Sequence, residues 1–236
     1  MSESAADGKV PAREVSAAVS EWGWRLVPGA LVTSVPVESL AAGADLAARL
    51  AAGVGHHRGQ ELRLDVRSDR LIIQLQSANR SALTAQEIEL AHRISAFTST
   101  LGLATAAGGG AGRGHPVQVL EVAIDAQDIL AIRPFWKVIL GYADEPGDDD
   151  PDGAIADPAG RGPTVWFQQM DAPRPQRNRL HFDISVPHDE AQPRIAAAIA
   201  AGGTLTYDAE APAFWVLADP EGNEACILTW QGRDGS

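Results

Sequence analysis

Two segments near the middle of the N-terminal half have the clearest periodic patterns. Residues 61–77, "ELRLDVRSDRLIIQLQS", alternate apolar and polar positions on both sides of Ser68-Asp69, which predicts a β-hairpin. The segment "LTAQEIELAHRISAFTSTLG" carries apolar residues at helical spacing, among them Ile88, Ala91, Ile94 and Phe97. Thr84 and Glu87 have the spacing of a capping box. The pattern therefore predicts a hairpin followed by an amphipathic helix.

Weaker patterns precede this hairpin. We expect a short helix over Glu14–Glu21, two extended pieces on either side of a turn at Pro28-Gly29, and an alanine-rich and leucine-rich helix with Ser39 as its N-cap. Strands and helices in this order favour an α+β domain, in which helices cover one face of a small antiparallel sheet. We place this domain at residues 13–104.

A segment rich in glycine and alanine, "LGLATAAGGGAGRGHP", follows the predicted helix. It has almost no large apolar residues, which is typical of a flexible linker. We therefore predict a linker over residues 105–116 and a second domain over residues 117–231.

The second half contains an internal repeat. "VLEVAIDAQDILAIRPFWKVILG" from Val119 resembles "RLHFDISVPHDEAQPRIAAAIAAGG" from Arg179, and "ADPAGRGPTVWFQ" from Ala156 resembles "ADPEGNEACILTW" from Ala218. The repeat matches Glu121 with His181 and Thr164 with Cys226. The pattern of each copy predicts a strand, a helix and further strands. One copy alone is too short to bury the face of its own sheet. We predict paired βαβββ modules that together enclose a cavity.

Composition limits the classes of partner. The formal net charge is −12, which argues against a nucleic acid as partner. No apolar run reaches the roughly 18 residues of a membrane helix, and the first residues lack the order of a signal peptide. One cysteine, Cys226, excludes an internal disulfide and fits a reducing compartment. We expect a cytoplasmic protein with no membrane partner.

The adjacent histidines in "GVGHHRGQELRLDV", His56 and His57, are the candidate proton carriers of the first half. Imidazole titrates near neutral pH and serves as acid or base. Alternatively, the pair lies in a solvated loop between a helix and a strand. Arg58, the next residue, is a candidate contact for an anionic ligand.

Residues 15–103 resemble the pterin-4a-carbinolamine dehydratase family. The resemblance rests on "EWGW", "GHH" and "LQSANRSALTAQEIELAHRI". It implies a hydro-lyase of the 4a-hydroxytetrahydrobiopterin dehydratase type, with His56 and His57 as catalytic residues. The third histidine of the family falls on Ala78, so the resemblance implies a site that is reduced or repurposed for another heterocycle.

Residues 117–230 resemble the glyoxalase-like domains of the vicinal-oxygen-chelate superfamily. The resemblance rests on "LHFDISV" and "ADPEGNEACIL". It implies a small-ligand pocket on inward-facing strand positions, or a metal site for which Glu121, Gln168 and His181 are the conceivable ligands. We favour the pocket without a metal or another cofactor. Its candidate lining residues are Glu121, Trp166, Gln168, His181, Asp183, Trp215 and Cys226, although both tryptophans have core packing as the alternative.

The resemblances together predict a two-domain bacterial protein, because such fusions occur in high-GC bacteria. Its predicted activity is dehydration of a 4a-hydroxytetrahydropterin or a related heterocycle, and its predicted assembly is a homodimer. Two alternatives remain: a non-catalytic protein that binds a small molecule, and a distinct enzyme that uses the glyoxalase-like pocket.

Overall fold

The computed structural model describes residues 8–53, 60–77, 83–106, 117–174, 176 and 179–232. The chain divides into two compact units, residues 1–119 and 120–236. Most of the predicted linker, residues 107–116, lies outside the described residues, so its flexibility stays a prediction. Among the helices that the structure describes, none is long and apolar enough to cross a membrane.

The described residues of the N-terminal unit form a four-stranded antiparallel sheet with three helices, as the periodic patterns predict. Its elements are α1 (Ala12–Ser20), β1 (Arg25–Val27), β2 (Ala30–Pro36), α2 (Leu40–Gly53), β3 (Gln60–Val66), β4 (Arg70–Ser77) and α3 (Ala85–Thr100). The sheet order is β1-β2-β4-β3. The predicted hairpin is β3 and β4, and Thr84 and Glu87 form the predicted capping box of α3.

One face of this sheet forms the core of the unit. Leu71, Ile73 and Leu75 alternate along β4 and are at most 1% exposed, because side chains at every second strand position share a face. They pack in one cluster with buried residues of all three helices. The helices therefore cover this face, which is the arrangement that the sequence predicts.

The C-terminal unit consists of two modules of the same topology. The first contains β5 (Glu121–Ala126), α4 (Ile129–Leu140), β6 (Ala143–Asp144), β7 (Ile155–Ala156) and β8 (Thr164–Gln169). The second contains β9 (Phe182–Ser185), α5 (His188–Ala200), β10 (Thr204–Tyr207), β11 (Phe214–Ala218) and β12 (Glu224–Leu228). The sheet orders are β5-β8-β7-β6 and β10-β11-β12-β9. In each sheet the first and last strands of the module are parallel neighbours.

The two modules share one hydrophobic core. Ile132, Phe135 and Trp136 of α4 are at most 1% exposed, and they cluster with Leu217 and Ile227 of the second sheet. Each sheet therefore packs one face against the helices. The opposite faces, which we call the open faces, hold the more exposed residues of β5, β8 and β9.

Candidate functional site

The open face of the second module brings together three side chains with metal-binding and proton-transfer chemistry. In the parallel pair β9–β12, Asp183 lies opposite Cys226, so both side chains point to the same side of the sheet. His181 precedes Asp183 by two residues and shares that side. The imidazole Nε2 of His181 lies 3.3 Å from Oδ1 of Asp183. An imidazole next to a carboxylate is held in a defined orientation.

The cluster has one buried and two accessible members. The side chains of His181 and Asp183 are 52% and 59% exposed, whereas Cys226 is only 7% exposed. One nitrogen, one carboxylate oxygen and the sulfur all lie within 4.8 Å of one another. Within the described part of the chain, Glu121 is not a member of this group. Glu121 therefore lies outside the group that contains His181 and Cys226, and the predicted combination of Glu121, Gln168 and His181 stays a prediction.

The open face of the first module has a different character. β5 and β8 are parallel, and Glu121, Ala123 and Asp125 lie opposite Thr164, Trp166 and Gln168. Alternating core residues such as Ile124 and Phe167 point to the other side. The indole of Trp166 is 39% exposed, so it can stack on a planar ligand. Arg174 approaches the carboxylate of Asp125 to 4.0 Å.

The strand register changes the match between the two copies of the repeat. Glu121 opens β5 and His181 directly precedes β9. If these two residues correspond, so do the residues two positions later, Ala123 and Asp183. Ala123 lies opposite Trp166 in the first module, and Asp183 lies opposite Cys226 in the second. In the repeated "ADP" motif, Trp166 follows Asp157 by nine positions, whereas Cys226 follows Asp219 by seven. Thr164 follows Asp157 by seven positions and so matches Cys226 by motif spacing. It does not match Cys226 by strand register when Glu121 corresponds to His181.

Trp215, a predicted lining residue, lies on the core side of its sheet. It is 7% exposed and belongs to the shared core. Its neighbours Phe214 and Val216 point to the open face, since Val216 lies opposite Cys226. The ring of Phe214 stacks on Tyr207 with centroids 5.8 Å apart. Because side chains alternate along the strand "FWVLA", Trp215 must face the opposite side from Phe214 and Val216. The sequence could therefore have separated core-facing from open-face residues, once one position of the strand was assigned to a face.

The N-terminal candidates cannot be placed in the same way. His56, His57 and Arg58 lie outside the described residues, as does Ala78. Their assignment as a catalytic pair and an anion contact stays a prediction.

The comparisons with known proteins concern the C-terminal unit. Residues 121–228 match the family model described as "Glyoxalase-like domain". No curated sequence is similar enough to this chain to count as a match. The comparisons give no support to the resemblance between residues 15–103 and pterin dehydratases, which stays a prediction.

Several solved structures are similar to about half of the chain. A glyoxalase/bleomycin resistance protein/dioxygenase family enzyme from Burkholderia phytofirmans is 22% identical, with 46% of this chain and 95% of that chain covered and a TM-score of 0.38. A glyoxalase-related enzyme from Fulvimarina pelagi is 21% identical, with coverages of 48% and 87% and a TM-score of 0.38. A fosfomycin resistance protein from Listeria monocytogenes is 10% identical, with coverages of 50% and 94% and a TM-score of 0.38. These TM-scores are too low to support an assignment. The similarity of the C-terminal unit to glyoxalase-like domains therefore rests on the family model.

Proposed function

Since residues 121–228 match the family model of glyoxalase-like domains, we propose that the C-terminal unit binds a small organic molecule on its open strand faces. In this proposal the unit is a distinct enzyme whose chemistry takes place at His181, Asp183 and Cys226. The observation that carries the proposal is the convergence of these three side chains within 4.8 Å. Converging polar groups beside apolar and aromatic side chains are the usual anatomy of a small-ligand site.

The donor set fits a divalent metal ion. Nitrogen, oxygen and sulfur donors together suit zinc, and catalytic zinc sites use three protein ligands with one open position. Ligand atoms of tetrahedral zinc lie roughly 3.3–3.8 Å apart by those bond lengths, and the three atoms here need only small side-chain movements to reach such separations. His181, Asp183 and Cys226 would hold the ion. When bound, it would polarise an oxygen atom of the ligand.

The residues themselves have distinct roles in the proposal. Asp183 orients the imidazole of His181 before the ion binds, and with the ion bound both side chains would be its ligands and would not carry protons. Cys226 is buried in β12, so its position is fixed by the sheet. Trp166, on the open face of the first module, provides an indole surface against which a planar ligand stacks.

Cobalt binding tests the donor set. Protein stripped of metal by a chelator is titrated with Co²⁺, which reports tetrahedral coordination by its visible absorption and thiolate coordination by a charge-transfer band in the near ultraviolet. We expect both bands in the wild type, loss of the charge-transfer band in Cys226→Ser, and at least about tenfold weaker cobalt binding in His181→Ala. His188→Ala removes an exposed histidine of the same unit and is the matched control. A Cys226→Ser spectrum equal to that of the wild type would contradict the donor set.

Ligand binding needs its own readout. Tropolone, a planar molecule with two adjacent oxygens, serves as the probe, and its binding is followed by thermal stabilisation of the metal-loaded protein. We expect Trp166→Ala to weaken tropolone binding severalfold without changing cobalt binding. Equal tropolone affinity in Trp166→Ala and the wild type would remove the first module from the proposed site.

Dehydration of a pterin remains a second candidate function. The observation that favours it is the element order of the N-terminal unit, which is a helix, two strands, a helix, a hairpin and a last helix, the order of the family that residues 15–103 resemble. The test is saturable dehydration of 4a-hydroxytetrahydropterin by the purified protein. We expect the double variant His56→Ala, His57→Ala to lower this rate by orders of magnitude, and a wild-type rate equal to the uncatalysed rate would exclude the activity.

The homodimer stays part of the proposal. Sedimentation of the purified chain over a range of concentrations measures its mass, and a monomer at all concentrations would contradict it.

A further inference from the structure

The N-terminal unit contains a cavity of about 420 Å³ that the functions considered above do not use. Three segments line it with apolar side chains: Val10, Ala12 and Val15 at the start of α1, Leu26 and Val27 of β1, and Leu83 before α3. Its volume lies within the range of roughly 300–1,000 Å³ that is typical of small-ligand pockets. The cavity is therefore large enough for a compact aromatic molecule.

Backbone interactions fix the walls of this cavity. The amide of Val10 donates a 3.0 Å hydrogen bond to the carbonyl of Leu83, and Lys9 forms a β-bridge with Thr84. Gly29, which also lines the cavity, has a φ of 68°, a conformation that glycine adopts without strain in the turn between β1 and β2. These contacts hold the segments in place, so that the space does not depend on side-chain rotamers alone.

The charge at the cavity has one sign. Lys9 is the charged residue among those that line it. Ala12 is the first residue of α1, so the positive end of the helix dipole lies at the same wall. Glu14, the acid of the first helical turn, is exposed and does not line the cavity. An apolar space with a cationic rim is complementary to an organic anion.

We propose that this cavity binds a small organic anion with an apolar body, such as an aromatic carboxylate. The apolar body fills the space between α1 and β1, and the carboxylate pairs with the ammonium group of Lys9. The proposal is independent of the C-terminal unit, because every residue that carries it lies within residues 9–83.

Matched probes test the proposal. Binding of 2-naphthoate and of the neutral 2-acetylnaphthalene to the full-length protein is measured by calorimetry. We expect Lys9→Met to weaken 2-naphthoate binding about three- to fivefold, as for a solvent-accessible ion pair, and to leave the neutral probe unchanged. Ala12→Phe places a ring in the cavity and should abolish binding of both. Arg13→Met, which removes a charge beside the cavity without lining it, should have no effect.

Three results would overturn the proposal. The first is equal binding of 2-naphthoate by the wild type and Ala12→Phe, with an unchanged circular dichroism spectrum that establishes folding of the variant. The second is an equal loss of both probes in Lys9→Met. The third is binding of 2-naphthoate only after removal of residues 1–7, because the chain itself would then be the occupant.

Discussion

The indole Nε1 of Trp136 donates a 2.8 Å hydrogen bond to Oδ2 of Asp219. Both residues are buried, at 1% and 3% exposure. The same carboxylate accepts the backbone amides of Glu221 and Asn223 and the side-chain amide of Asn223. One buried carboxylate thus joins helix α4 of the first module to the last hairpin of the second.

Asp219→Asn should destabilise the C-terminal unit by about 1.5–3 kcal/mol, because hydrogen bonds to a charged acceptor are lost and an amide cannot accept all four donors. Urea unfolding followed by tryptophan fluorescence measures the change. Asp208→Asn, an exposed position in the same unit, is the control and should unfold like the wild type. Equal midpoints for the two variants would contradict the role of the buried carboxylate.

Gly203→Ala should destabilise the same unit by about 1–3 kcal/mol through overpacking. A Cβ atom at this position would overlap Cδ2 of Phe135 and would lie 2.9 Å from the carbonyl oxygen of Ala198. The ring of Phe135 is fully buried, and a close-packed core makes its displacement costly. Thermal unfolding measures the effect, and Gly8→Ala, where a Cβ meets nothing within 4 Å, is the control. A melting temperature of Gly203→Ala equal to that of the wild type would show that the core adapts.

Thr84→Ala should destabilise the N-terminal unit by about 1 kcal/mol, since it removes the N-cap of α3. The hydroxyl of Thr84 accepts the amide of Gln86 and donates to the buried carboxylate of Glu87. Thr100→Ala makes the same change at the other end of the helix, where the hydroxyl is exposed. Urea unfolding measures the free energy of unfolding of both variants. An equal decrease in Thr84→Ala and Thr100→Ala would contradict the role of the N-cap.

The wild type should lose stability at alkaline pH when Tyr142 ionises, and Tyr142→Phe should not show this loss. Burial, together with the carboxylate of Asp157, raises the pKa of the Tyr142 phenol above its ordinary value of 10.0. Between the ordinary and the raised pKa, the unfolded chain binds fewer protons than the folded one, so stability falls as the pH rises through this window. Urea midpoints of wild type and variant on either side of about pH 10 measure the difference, with Tyr207→Phe as the control at an exposed position. Parallel curves for wild type and Tyr142→Phe would contradict the assignment.

The sequence by itself determined the elements whose causes are local. The hairpin of β3 and β4, the capping box of Thr84 and Glu87, and the repeated βαβββ order all follow from periodicity or from residues a few positions apart. The sequence also marked His181, Asp183 and Cys226 as candidates for one pocket.

Only the tertiary structure decided which candidates meet. Asp183 and Cys226 are 43 positions apart, and the parallel register of β9 and β12 makes them neighbours. If Glu121 corresponds to His181, the registers of the two parallel pairs relate Trp166, not Thr164, to Cys226, and the β11–β12 register turns Trp215 towards the core. The physical reason is that side-chain direction reverses at every strand residue. Which residues face a site is therefore set by strand pairing, which depends on contacts distant in the sequence.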